Sequence, residues 1–149
     1  VMAASADHDI VRFTGGGNYP YEAEGWAWMT MNVTIDPLTD EADGWFNYRS
    51  YSEVKPKNLS GWYGEAICAT PGTFMGAPAY SFVVQIIEAD NGLIPGTYMK
   101  FISADGGKGG APDWAGLTIF PPVETMPGCE WEEPFYSWPI EKGNITIHP

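Results

Sequence analysis

Basic residues are scarce in this 149-residue chain: seven Lys and Arg stand against nineteen Asp and Glu, a formal net charge of −12. Such a surface repels phosphate backbones and anionic bilayers, which excludes nucleic acid as a partner. Histidine is almost missing too, with only His8 and His148, each near an end of the sequence. No Gly-x-Ser-x-Gly, His-Glu-x-x-His or phosphate-cradling loop occurs, so the chain carries no nucleophile, zinc or phosphate motif. Gly15 to Gly17 and Gly106 to Gly110 are glycine-rich, but neither opens a helical pattern, as a dinucleotide fingerprint would. Neighbouring carboxylates such as Glu132 with Glu133, or Glu22 with Glu24, set no separation across a cleft. A non-enzymatic protein is the expectation. No run approaches the ~20 apolar residues that a helical membrane span requires.

Cysteine is limited to Cys68 and Cys129. An even pair in a chain of secreted character reads as a disulfide, which would stabilise by roughly 4 kcal/mol on the chain-entropy account. Two buried free thiols are the alternative. The sequence begins at Val1, which a cleaved signal peptide or a trimmed chain would explain. Asn32, Asn58 and Asn144 open Asn-x-Ser/Thr triplets, candidate N-glycosylation sites that also arise by chance in a Thr-rich β protein.

Aromatic residues, in contrast, are plentiful: seven Trp, eight Tyr and seven Phe, with eighteen Gly and thirteen Pro. Short strands joined by Gly/Pro turns are the natural form of such a chain. Ala79 to Ser103 is the strongest stretch. Tyr80, Phe82, Val84 and Ile86 share one face of a strand, and Asp90, Asn91, Gly92, Pro95 and Gly96 break it from a second run. That predicts a hairpin with a loop of several residues. Gly25 to Ile35 alternates: Trp26, Trp28, Thr30, Asn32 and Thr34 face one way, Ala27, Met29, Met31, Val33 and Ile35 the other. Further strands are predicted over 8–14, 45–52, 62–69 and 114–120, with a closing run at 144–148. Val54 to Gly61 reads as a loop, and Thr70-Pro-Gly-Thr as a lead into the hairpin. Turn signals every 8–12 residues predict one all-β domain over 1–149, an antiparallel β-sandwich of about eight strands, immunoglobulin-like or jelly-roll-like. Residues 1–7 form an N-terminal tail.

Several short motifs recur in a fixed order: Gly15-Gly-Gly17, Gly44-Trp-Phe-Asn-Tyr48, Gly64-Glu-Ala-Ile-Cys68, Glu88-Ala-Asp-Asn-Gly92, Pro95-Gly-Thr-Tyr98 and Gly143-Asn-Ile-Thr-Ile-His148. Together they resemble a family of secreted prokaryotic β-rich domains, mostly without assigned activity, with a "DNGxPG" hairpin and a closing "GGGNIxIH" strand. This chain has one glycine, Gly143, before Asn144 instead of several. The resemblance implies an extracellular β-sandwich of structural or adhesive type and supplies no catalytic residues.

Three sets of residues are candidate sites. Asp36, Asp40, Glu41 and Asp43, and separately Asp90, Asn91 and Asp105, could gather oxygen ligands for Ca²⁺. Asp and Asn are equally the residues that make turns. Trp26, Trp28, Trp62 and Trp114 could stack on sugar rings, with Asn and carboxylates taking the hydroxyls, or fill a core. The apolar tail Val1, Met2, Ala3, Ala4, Ser5 and Ala6 needs a surface to rest on, and could add a strand to a neighbouring subunit. The reading that joins these is a secreted, disulfide-closed structural protein that assembles with itself into an extracellular filament or surface layer by strand complementation. A carbohydrate-binding or adhesion module is the alternative.

Overall fold

The computed structural model describes residues 10–20, 25–52, 55–107, 112–119 and 123–148. Nine strands follow one another: β1 (Val11–Pro20), β2 (Gly25–Ile35), β3 (Ala42–Ser52), β4 (Lys55–Phe74), β5 (Ala77–Ala89), β6 (Tyr98–Ala104), β7 (Trp114–Leu117), β8 (Tyr136–Pro139) and β9 (Lys142–His148). No helix is present among the described residues, and none is long and apolar enough to cross a membrane. The tail at residues 1–7, with its candidate contacts Val1 to Ala6, lies outside the described residues.

The all-β antiparallel expectation holds, but the layering differs. All nine strands belong to one sheet, in the order β8-β7-β6-β5-β4-β3-β2-β1-β9, where a sandwich of about eight strands in two sheets was expected. The sheet curls as a half-barrel and encloses its own core, so a second layer is not what buries the apolar face. Alternation on β2 is as the sequence predicts: Ala27, Met29, Met31, Val33 and Ile35 are buried. They meet Tyr80, Phe82, Val84 and Ile86 of β5 in the core. Its centre is four phenylalanines. Phe13–Phe82, Phe46–Phe82 and Phe46–Phe101 each lie 4.9 Å apart edge to face, the geometry the ring quadrupole favours. Burial stabilises by about 1.5–3 kcal/mol for each such side chain.

β4 is the largest local difference. Its twenty residues run through both the predicted loop before Gly61 and the Thr70-Pro-Gly-Thr segment. Register shifts at Tyr63/Gly64 and Ala66/Cys68 let so long a strand bend with the sheet. Pro71 pairs only with β5, because β3 pairing stops at Glu65. The amide that proline lacks is therefore not needed by a second neighbour.

A short connection and a few side chains link the two edges of the sheet. β8 and β9 stand at opposite ends of the strand order, yet only Ile140 and Glu141 separate them in sequence. The Ile140 amide donates to the Asp113 carbonyl beside β7, and the Glu141 amide to the Asn18 carbonyl on β1. Beyond this crossing, side chains take over the pairing. The Ile145 amide donates to Asp113 Oδ2 at 2.7 Å, and the Ile147 amide to Asp105 Oδ2 at 3.1 Å. These carboxylates satisfy edge donors that would otherwise template another strand.

Part of the outer surface is covered by the chain itself. Residues 123–135, between β7 and β8, form a strap across the outer side of β4, β5 and β6. Cys68 and Cys129 are disulfide-bonded, Cα to Cα 6.0 Å, so the pairing expected from sequence is present. Thr70 Oγ1 donates to the Cys129 carbonyl. Lys100, on the outer face of β6 and fully buried, donates from Nζ to Glu132 Oε1 at 2.9 Å. Trp131 lies against Gly72, where a Cβ would collide with the indole ring. Beneath the strap Ser81, Val83 and Ile102 are buried on the side of the sheet away from the core.

Candidate functional site

The outer side of β9, β1, β2, β3 and β4 carries a different surface. Since Phe13, Met29, Met31, Phe46, Trp62 and Ile145 point into the core, the residues alternating with them point out. The registers place those outward residues in rows across the strands. His148, Arg12, Thr34 and Asp43 form one row. Thr146, Thr14, Asn32, Trp45 and Glu65 form the next. Asn144, Gly16, Thr30, Asn47 and Tyr63 form the third, and Asn18, Trp28, Arg49 and Gly61 the fourth. Rows lie about 6.8 Å apart and strands about 4.8 Å apart.

The chemistry of this surface is hydroxyls and amides interrupted by aromatic rings. Arg12, Thr30, Asn32, Glu65, Asn144 and His148 are exposed, and Trp26, Trp28, Trp45, Asn47 and Tyr63 are half-buried. Trp45 and Tyr63 stack at 6.5 Å, a two-ring platform between β3 and β4. Asn144 Nδ2 donates to Thr146 Oγ1 at 3.0 Å, and Thr34 Oγ1 to the Asp43 carbonyl at 3.2 Å. Asp90 holds the rim: its Oδ1 accepts from the Gly61 amide at 2.7 Å and lies 3.8 Å from Arg49 Nη1. In the middle Gly16 presents no side chain, and a Cβ there would press on the Met29 carbonyl and Thr30 Cγ2. The result is a shallow floor between Thr14, Asn18 and Thr30. Asn18 Oδ1 and Asn47 Oδ1 are buried and accept no hydrogen bond, so each leaves an acceptor unsatisfied just beneath this surface.

The four predicted stacking tryptophans divide. Trp26 and Trp28 lie on this surface. Trp62 is 2% exposed and belongs to the core, stacked on Tyr48 at 5.8 Å. Residue alternation on β4 turns it inward, so it offers no platform. Trp114 is on β7, edge to face with Phe74 at 5.6 Å. Asn47, Arg49 and Tyr63 are not singled out from sequence. The period-two pattern of Trp45, Asn47 and Arg49 is the signal that marks them.

Several of the acidic candidates make turn and loop contacts. Asp36 Oδ1 accepts from the Leu38 amide at 2.9 Å, which shapes the β2–β3 turn. Asp40 takes a positive φ of 62° and accepts the Ala69 amide on its carbonyl. Asp43 is on β3, and Asp90 belongs to the β5–β6 loop that docks on Gly61. Asp105 caps Gly107 and Ile147. Among the described residues no three acidic, His or Cys groups converge as metal ligands. Of the sequon asparagines, Asn32 and Asn144 are exposed on the open surface. Asn58 lies within β4, and its side chain is outside the described residues.

Burial raises the Tyr80 phenol above its ordinary value of 10.0, and the Asp40 carboxylate adds to the effect.

Compared with known proteins, the chain matches no family model, no curated protein and no solved structure.

Proposed function

We propose that the protein is a non-enzymatic carbohydrate-binding module, and that its glycan lies across the outer side of β9, β1, β2, β3 and β4. One observation carries the reading. On a curled sheet whose opposite outer side is covered by its own strap, this side carries exposed Thr30, Asn32, Glu65 and Asn144 and sets Trp28, Trp45 and Tyr63 among them. Aromatic faces accept the apolar side of a sugar ring, and amides and hydroxyls serve its hydroxyl groups as donors and acceptors. The disulfide fits an oxidising compartment, and a secreted, surface-adhesive role follows from the same reading.

Self-assembly by strand complementation is less well supported. The Ile145 and Ile147 amides, which an added strand would need, are already bound by Asp113 and Asp105. A filament built through residues 1–6 would have to dock elsewhere. Electron microscopy of the intact protein beside a form lacking those residues tests it: filaments that vanish on truncation would restore that reading.

The glycan reading is tested by following tryptophan fluorescence during titration with soluble polysaccharides. A saturable change that Trp28→Ala removes is expected. No change with any polysaccharide would count against it.

A further inference from the structure

Basic residues are few enough that their placement is informative. Lys100 is consumed by Glu132 and Glu130 beneath the strap, and Arg49 leans toward Asp90. Arg12 is different. It is exposed on β1, and among the described residues no carboxylate lies within ion-pair distance of it. Its register neighbours are His148 on β9 and Thr34 on β2. Together with Ile10 and Thr14 they line a groove at the end of the open surface. Thr14 Oγ1 sits 3.2 Å from His148 Nε2, which holds the imidazole at the groove wall. The nearest acidic residue in that row is Asp43 on β3, two strands or about 10 Å from β1. In a protein of net charge −12, the described residues of this groove bring together a guanidinium, an imidazole and two hydroxyls, with no carboxylate among them.

We propose that this groove is the subsite for an anionic substituent, a carboxylate or a sulfate, on the bound glycan. The proposal rests on the glycan reading and narrows its ligand class. The guanidinium offers a planar pair of N–H donors matched to the two oxygens of such a group, and the Thr14 and Thr34 hydroxyls supply further donors. The groove and Trp28 are separated by six residues along the strands, about 20 Å. A ligand that engages both is therefore an extended acidic polysaccharide and not a single sugar. The negative field of the rest of the protein weakens distant attraction, so selectivity arises at contact range and falls with added salt only within about a Debye length.

The test compares pairs of chains that share a sugar backbone and differ in whether they carry anionic groups. Calorimetric titrations of the intact protein use polygalacturonate, its fully methyl-esterified form, dextran and dextran sulfate. A charged chain is expected to bind roughly tenfold or more tightly than its neutral counterpart, as a charge-assisted hydrogen bond allows. Arg12→Gln should abolish that ratio, while Trp28→Ala weakens charged and neutral chains alike. Selectivity within the galacturonate pair assigns a carboxylate; selectivity within the dextran pair assigns a sulfate. Equal affinity within both pairs, unchanged by Arg12→Gln, overturns the anionic subsite and leaves glycan binding standing. Absence of binding to all four overturns the subsite and counts against the glycan reading as well.

Discussion

Lys100 Nζ lies 2.9 Å from Glu132 Oε1, and the lysine side chain has no exposed surface. Glu130 Oε1 follows at 4.0 Å. An ammonium removed from water in this way is costly unless paired. The pairing therefore ties the position of the strap to the integrity of β6.

Removing the partners should reveal that dependence. Glu132→Gln alone leaves Glu130 within reach and should cost about 1–3 kcal/mol in urea unfolding. Glu130→Gln with Glu132→Gln should cost about 3–5 kcal/mol, because the buried charge is then stranded. Lys100→Met, which removes the charge itself, should be near neutral or stabilising. A double variant no less stable than Lys100→Met would contradict the ion pair's role.

The disulfide closes a loop with a sequence separation of 61. Paired Cys68→Ser and Cys129→Ser substitution should lower stability by about 4 kcal/mol on the loop-entropy account. Gly72→Ala should add a separate loss of about 1–3 kcal/mol, since the new methyl group meets the Trp131 ring. Denaturant midpoints of the single and combined variants check both.

At the seam, Asp113 accepts the buried Ile145 amide. Asp113→Ala should cost about 1–3 kcal/mol by leaving that donor unpaired. Hydrogen exchange should then quicken at Ile145 and leave amides in the β2–β3 ladder comparatively protected. Uniform acceleration across the sheet would show that the seam is not a local closure.

Alkaline pH should weaken the fold through Tyr80. Its folded-state pKa is raised by burial and by Asp40, so the folded protein favours the neutral phenol. The stability this gives is fully present below the unfolded value near 10 and is lost as pH rises through the folded value. Tyr80→Phe should flatten the stability profile above pH ~10. An unchanged alkaline profile would contradict the assignment.

Strand residues were legible where alternation was clean. Trp26 to Ile35 and Tyr80 to Ile86 announce both their strand and their buried face. One curled sheet was not distinguishable from a sandwich, because each demands the same alternation and the same turn spacing. What decides is the Ile140–Glu141 crossing and the two aspartates that seal it, contacts between residues 32 and 42 positions apart. The strap was opaque for a similar reason. Pro-rich, irregular 123–135 has no period, and only the disulfide gave a hint of where it lies. On the open surface the tryptophans of β2 were visible, whereas Trp62 was misplaced because bulges around it obscure the alternation of β4.

The most direct test of the central claim is affinity electrophoresis of native protein through gels containing acidic or neutral polysaccharide. Three samples run side by side: wild type, Trp28→Ala on the open surface and Trp114→Ala beside Phe74 on β7. The account predicts retardation of wild type and Trp114→Ala and free migration of Trp28→Ala. Retardation lost with Trp114→Ala but kept with Trp28→Ala, or no retardation of any sample, would contradict it.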